Sequence, residues 1–153
     1  MSEINNKSVG KIISLFLAPS TQSGRLEKEM FEVDKNGIVS DKFYAKNINR
    51  SVLISSEKSY KIASDNSIEM MYGDLGENIL LDFNPYDLKE GTQLRIGSKE
   101  NSVILEISQH CTLCNSLSKV NSKLPKLLKD DRGIFAKVIQ SGTIMINDSI
   151  YIK

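Results

Sequence analysis

The feature that most constrains the fold is a series of short apolar segments separated by turn residues. Segments such as KIISLFL and VILEIS are rich in β-branched residues, and Pro, Gly, Asn and Asp recur between them. This pattern is typical of β-strands bounded by turns. The predicted strands are residues 11–17, 30–33, 51–54, 78–83, 93–96, 103–108, 134–139, 144–146 and 149–152, and residues 20–29 are predicted to form a loop.

Two regions predict helices at the edge of this β structure. Ser55 or Ser56 can cap a helix that extends to about residue 64, with Glu57 in its first turn. Between residues 115 and 128, apolar side chains recur at helical spacing, and Pro125 predicts a break. Strands and helices do not alternate regularly, so a doubly wound parallel sheet is not expected. The pattern predicts a mostly β chain, a closed β-barrel or sandwich with one or two peripheral helices.

Length, charge and hydropathy narrow the class further. The 153 residues suit one domain, and residues 1–9 are predicted to be an N-terminal tail to a single domain at residues 10–153. The formal net charge of +1 creates no field that would recruit nucleic acid or an anionic membrane. No apolar run reaches the length of about 18 residues that predicts a transmembrane helix. Residues 1–6 lack the pattern of a secretory signal, so we expect a cytoplasmic protein with reduced thiols.

Cys111 and Cys114 lie between a predicted strand and a predicted helix. In a reducing compartment this spacing indicates metal binding, redox chemistry or catalysis before it indicates a structural disulfide. A helix N-terminus favours the thiolate form of a nearby cysteine, and Cys114 is the closer of the two to the helix. Alternatively, both cysteines are small buried apolar side chains, which is common for free cysteine. The spacing alone favours neither interpretation.

Several cofactors are not expected from the residues present. His110 is the only histidine, so a closed zinc site would lack ligands. The chain has no βαβ pattern that would support a thioredoxin-type use of the two cysteines. It also has no G-x-G-x-x-G segment for a flavin or a nicotinamide, and too few cysteines for an iron–sulfur cluster.

The segment GDLGEN at residues 73–78 is a second candidate site. Two glycines around polar residues permit a tight turn whose exposed N–H groups can hold an anion. Glycine turns before strands are also common without any ligand. Asp41, Arg50 and Arg132 each lie beside a predicted strand, where such residues more often face solvent or stabilise the fold than contact a ligand.

Taken together, these segments resemble the MOSC domain, a module named after the C-terminal part of molybdenum-cofactor sulfurases. The resemblance extends from about residue 10 to residue 153. GDLGENI at residues 73–79 resembles the family's G-x-x-G-E-N-[IL] turn, and LRIG at residues 94–97 resembles its L-x-I-G strand. GIVSD at residues 37–41, RSVL at residues 50–53 and DRGIFAKV at residues 131–138 resemble three further family segments. The family's R-x-P-C segment falls on CTLC at residues 111–114, which puts Cys114 in the place of the family cysteine.

The resemblance implies a closed β-barrel whose pocket has the cysteine at its mouth and handles sulfur or the molybdenum–pterin cofactor. Cys114 would ligate molybdenum, for which soft sulfur is a suitable ligand, or would carry sulfane sulfur as a persulfide. Asn78 would orient the ligand, and Arg50 and Arg132 would meet its phosphate or carboxylate. The full set of implied cofactor-binding residues is Asp41, Arg50, Gly76, Glu77, Asn78 and Arg132.

The resemblance also implies a setting for the protein. Some MOSC proteins are reductases of N-hydroxylated compounds, and such an activity would need an external electron donor protein. Sulfur carriage would need an external sulfur donor protein. The family is in addition associated with pyridoxal phosphate, although no residue of this chain indicates that group.

Departures from the family pattern predict two alternatives. Ser40 replaces the glycine before Asp41, Phe43 stands where a histidine is frequent, and Leu113 replaces the proline of R-x-P-C. These changes fit a non-catalytic binding or adaptor module that keeps the barrel and has lost the cofactor. Cys111 replaces the arginine of R-x-P-C, so it is a candidate resolving thiol that would form a reversible disulfide with Cys114.

Overall fold

The computed structural model describes residues 7–21, 24–112 and 115–153, with only the backbone at residues 99, 115 and 116. Its strands are β1 (Gly10–Leu17), β2 (Leu26–Lys28), β3 (Met30–Asp34), β4 (Gly37–Ile38), β5 (Val52–Ser56), β6 (Ile79–Leu81), β7 (Gln93–Ile96), β8 (Val103–His110), β9 (Ile134–Gln140), β10 (Gly142–Met145) and β11 (Ser149–Ile152). Its helices are α1 (Glu57–Asp65), α2 (Asn115–Val120) and α3 (Leu124–Leu127), and 3₁₀ turns lie at Ile48–Arg50 and Lys99–Asn101.

Seven strands close into a barrel. The strand order is β11-β7-β8-β9-β5-β6-β1, and a further pairing of β11 with β1 joins the two ends. β1 can close the barrel because residues 10–11 pair with β11 while residues 12–15 pair with β6. The β5–β6 pair is parallel, and the other described pairs are antiparallel. The predicted mostly β class and closed barrel are therefore confirmed.

The elements around the barrel also follow from the sequence. Ser56 caps α1, as its side chain accepts a hydrogen bond from the backbone N–H of Lys58. The helical region after residue 115 is split into α2 and α3, and Pro125 lies in the first turn of α3, where a missing N–H costs nothing. The predicted one or two peripheral helices are thus three short ones among the described residues. β10, β3 and β4 form a separate three-stranded sheet.

The prediction of a loop over residues 20–29 is wrong for Leu26–Lys28, which forms β2. This strand pairs with residues 15–17 of β1 and lies at the edge of the large sheet. All three of its side chains are exposed, so the segment has no alternation of buried and exposed residues that could reveal a strand. The two-residue strand β4 was missed as well, because the turn before it gives the stronger signal.

Two apolar clusters hold the fold together. The barrel interior is filled by side chains that alternate along the strands, for example Leu105 and Ile107 of β8 and Ile54 of β5. A second cluster packs the helices against the outside of the barrel, with Leu117 of α2 and Leu124 of α3 fully buried. Among the described residues, no helix has both the length and the apolar character needed to cross a membrane.

Candidate functional site

A cavity of 510 Å³ opens beside the barrel, within the range of small-molecule pockets. Four segments meet at this cavity. They are residues 73–78, called here the glycine turn, the 3₁₀ turn Ile48–Arg50, the start of β5 and the connection between β8 and β9. Among the described residues, four basic side chains and one acidic side chain line it, so its wall is far more positive than the chain as a whole, whose formal net charge is +1. The charged and aromatic lining residues are Arg25, Lys46, Arg50, Arg132, Asp74, Phe43 and Phe135.

Cys111 provides the sulfur in this cavity. Cys111 directly follows β8 and is 3% exposed. Its backbone N–H donates a hydrogen bond to the carbonyl of Gly133 at 3.0 Å. Its side chain packs with Leu53 and Phe135. Gly133 lies close to β5: a Cβ there would lie 3.0 Å from Leu53 Cδ1, so a side chain would require Leu53 to shift. The β8–β9 pairing therefore places a thiol on the pocket wall.

Arg132 provides a cation at the same point. Its Nη1 donates to the Sγ of Cys111 at 2.9 Å, and the residue is 5% exposed. The backbone carbonyl of Arg132 accepts a hydrogen bond from Ser55 Oγ of β5, which fixes the segment before β9. Reactive thiolates in proteins occur beside such cations. The structure thus joins Arg132, a predicted binding residue, to Cys111, the predicted resolving thiol.

Cys114, the predicted catalytic cysteine and molybdenum ligand, lies outside the described residues. Its role stays a prediction. Of the two predicted thiols, Cys111 is the one that the structure describes, and it lies in the pocket. The described residues contain no group of three or more His, Cys, Asp and Glu side chains that could hold a metal ion together.

Arg50 lies on the pocket wall at the end of its 3₁₀ turn. Asn47 caps that turn, accepting a hydrogen bond from the backbone N–H of Asn49. The Arg50 guanidinium carbon lies 4.8 Å from the ring centroid of Phe135, a cation–π contact. This contact holds the Arg50 guanidinium beside Phe135, which also lines the pocket.

The glycine turn lines the pocket, but its N–H groups are not free donors. Gly73 and Gly76 have φ values of +97° and +81°, which favour glycine. The N–H of Gly76 donates to the carbonyl of Gly73, and the N–H groups of Gly73 and Leu75 donate to Tyr60 Oη. These N–H groups are therefore engaged within the protein and are not free to hold an anion, as the sequence pattern suggested they would be.

Glu77 is buried behind this turn and does not line the pocket. Its Oε2 accepts hydrogen bonds from Tyr60 Oη at 2.6 Å and from the N–H of Gly73 at 3.0 Å. Its Oε1 has no partner among the described residues. Burial raises the pKa of Glu77. The pKa of Tyr60 is raised too, mainly by burial and secondly by the nearby charge of Glu77. The structure thus places the predicted binding residue Glu77 where it shapes the turn.

Asn78 and Asp41 also bond mainly to the backbone. Asn78 Oδ1 accepts from the N–H of Leu53 at 3.0 Å, and its Nδ2 donates to the carbonyl of Phe16 at 3.2 Å. Asn78 lines the pocket while tying β5 to β1. Asp41 accepts from the N–H groups of Ala18 and Phe43, which fixes the segment that presents Phe43 to the pocket.

Arg25 is a pocket residue that the sequence analysis does not single out. It follows Gly24 in a polar segment that was predicted to be a loop, and one arginine there has no pattern to mark it. In the structure it lines the pocket beside Gly76. Arg25 directly precedes β2, which pairs with β1 and so fixes the segment next to Arg25.

Comparisons with known proteins agree with this architecture. The sequence profile of the MOSC domain matches residues 34–151, and the chain therefore belongs to the MOSC domain family. No curated protein matches the chain in a sequence search. The YuaD protein of Bacillus subtilis has a similar crystal structure, with a TM-score of 0.80 and 17% identity over 94% of each chain.

Two crystal structures of YiiM are similar as well. The protein from Geobacillus stearothermophilus gives a TM-score of 0.67 at 15% identity, over 96% of this chain and 74% of the other. The protein from Escherichia coli gives 0.69 at 14% identity, over 94% of this chain and 69% of the other. At these identities the likeness shows the shared fold.

Proposed function

We propose that this MOSC domain holds a molybdenum–pterin cofactor in its basic pocket, with Cys111 as the protein's sulfur ligand. One observation carries the proposal: the Sγ of Cys111 lies 2.9 Å from Arg132 Nη1, in a cavity lined by four basic side chains. The MOSC family is associated with this cofactor and with sulfur carriage.

The residues present fit the cofactor's chemistry. A thiolate is a soft ligand suited to molybdenum. Arg50 and Arg132 present guanidinium groups that suit a phosphate. Phe43, 48% exposed at the pocket wall, offers an aromatic surface for a planar ring. When bound, the cofactor would supply redox chemistry at its metal.

The protein's own part in the function is to bind, orient and shield. Arg132 keeps the Cys111 sulfur in place through its hydrogen bond and would balance the charge of a metal-bound thiolate. Leu53 and Phe135 surround that sulfur with apolar surface, which limits the access of water. Asn78 and Asp41 support the wall through their backbone hydrogen bonds. The resemblance gives the sulfur role to Cys114 instead, and this alternative is kept as the competing prediction.

The contact between Cys111 and Arg132 also favours a second function, sulfur carriage. The Cys111 thiolate would attack the outer sulfur of a donor protein's persulfide, and the donor thiolate would leave. The product, a Cys111 persulfide anion, would keep its negative charge beside Arg132. Either function needs an external electron or sulfur donor protein, and we expect both to operate in the reducing cytoplasm.

The test is the molybdenum and pterin content of protein purified without oxygen from a host that makes the cofactor. We expect about one of each per chain. Arg50→Met should lower both severalfold, because Arg50 lines the pocket. Arg95→Met is the matched control: Arg95 also stacks on an aromatic ring, that of Tyr151 at 4.2 Å, and does not line the pocket.

Wild-type protein with neither molybdenum nor pterin would contradict cofactor binding. In that case, sulfane sulfur released from Cys111 by cyanide would support carriage. Protein lacking metal, pterin and sulfane sulfur would support the adaptor module.

A further inference from the structure

Arg25 is held beside the glycine turn by the fold of the chain. Its Nη2 would lie 3.6 Å from a Cβ at Gly76, so the guanidinium passes close to that glycine. Gly24, with φ at +86°, precedes it, and β2 follows it directly. The guanidinium therefore lines the glycine-turn end of the pocket, the part formed by Gly73, Gly76 and Arg25.

The donors of Arg25 are not used up by the acidic groups around it. Asp41 and Glu77 both attract the guanidinium, yet neither forms an ion pair with it among the described residues. Asp41 accepts instead from Ala18 and Phe43, and Glu77 Oε2 accepts from Tyr60 and Gly73. Nη1 of Arg25 is buried and has no hydrogen-bond partner among the described residues.

A buried donor without a partner is costly, and the cost is removed when an acceptor arrives. Leaving such a group unsatisfied costs about 1–3 kcal/mol. Burial also lowers the pKa of Arg25, against the opposing effects of Asp41, Glu77 and Tyr60. An anion at the glycine-turn end, where Nη2 lies beside Gly76, would offset the unfavourable burial of the charge. The neighbouring N–H groups are not available to bind the anion, because they donate to the carbonyl of Gly73 and to Tyr60 Oη.

We propose that Arg25 binds phosphate monoesters at the glycine-turn end of the pocket. Arg25 is thereby the residue that determines specificity for ligands carrying this group. A phosphate is favoured over a single carboxylate because the pocket wall carries four basic side chains, enough to balance a dianion. This inference rests on the proposed function in taking the cavity as the ligand site. It adds the residue that selects the anionic end of the ligand.

The experiment uses phenyl phosphate as the probe, with phenol as its uncharged counterpart. Binding is measured by calorimetry and by protection of Cys111 from iodoacetamide, followed by mass spectrometry. Arg25→Met should weaken phenyl phosphate binding about tenfold to a hundredfold, as expected for the loss of a charge-assisted hydrogen bond. Arg25→Lys should recover part of that loss, and phenol binding should not change. Arg95→Met is the control variant, with circular dichroism confirming that each variant is folded.

Phenyl phosphate binding within twofold of wild type in folded Arg25→Met would overturn the inference, as would wild-type protein that does not bind the probe. The two proposals can fail separately. If wild-type protein contains molybdenum and pterin but Arg25→Met leaves the phosphate probe unaffected, the Arg25 role alone is wrong. If Arg25-dependent phosphate binding is found in protein that never takes up the cofactor, the Arg25 role stands and the proposed cofactor is wrong.

Discussion

Replacing Asn78 with alanine should destabilise the barrel beside the pocket. The Asn78 side chain provides an acceptor for the N–H of Leu53 and a donor for the carbonyl of Phe16, and the residue is 5% exposed. Alanine would leave both backbone groups without a partner at the place where β5 and β1 approach. Each buried unsatisfied group costs about 1–3 kcal/mol, so the combined loss should be about 3 kcal/mol if water entering from the pocket compensates in part.

The assay is urea unfolding followed by circular dichroism. With a slope of about 2 kcal/mol per molar urea, the transition midpoint should fall by about 1.5 M. Asn66→Ala is the matched control, because Asn66 makes one exposed side-chain hydrogen bond, to the carbonyl of Ile62. It should change the free energy of unfolding by about 0.5 kcal/mol or less. If Asn78→Ala unfolds within 0.5 kcal/mol of wild type, as the control does, the strand-tie role is refuted, and the ligand-orienting role implied by the family resemblance becomes the better account.

Three further predictions concern the fold around the site. Ser56→Ala removes the acceptor for the N–H of Lys58 and should lower the free energy of unfolding by about 1 kcal/mol in urea titration; an unchanged midpoint would show that the cap is replaceable. Gly37→Ala should cost about 2 kcal/mol in the same assay, because φ is +123° and the new Cβ would lie 3.1 Å from Ser51 Cβ; wild-type stability would contradict the strain. Burial raises the pKa of Glu77, so the folded protein keeps this proton where the unfolded chain releases it. The contribution of Glu77 to stability is present below pH 4.5, the ordinary pKa of its side chain, and is lost as the pH rises above that value. Glu77→Gln should therefore flatten the fall in stability as the pH rises above 4.5, and an equally steep fall in the variant would contradict this assignment.

Much of the fold could be predicted from the sequence because the strands carry strong local patterns. The predicted strands at residues 93–96 and 149–152 agree with β7 and β11 to the residue. The start of α1 was predicted from a capping serine, Ser55 or Ser56, because capping is a local interaction, and Ser56 is the cap in the structure. β2 was missed because its three side chains are all exposed and its pairing with β1 depends on the tertiary fold.

The candidate site was less predictable, because hydrogen bonding decides which polar side chains face the pocket. The sequence singled out Glu77 and Asn78, and the structure engages both with the backbone. Arg132 and Arg50 were singled out as well, and both line the pocket. Arg25 has no sequence motif, since its position depends on β2. The sequence favoured Cys114 because it lies closer to the predicted helix, whereas the pairing of Cys111 with Gly133 places the Cys111 thiol in the pocket.

The most direct test of the central claim is the molybdenum content of Cys111→Ser and Cys114→Ser, purified together with wild type from a cofactor-making host without oxygen. Pterin and circular dichroism are measured on the same samples, so that lost metal is not confused with lost fold. Folded Cys111→Ser should lose molybdenum, while Cys114→Ser should keep the wild-type amount. Metal retained in Cys111→Ser and lost in Cys114→Ser would contradict the central claim and would give the ligand role to Cys114.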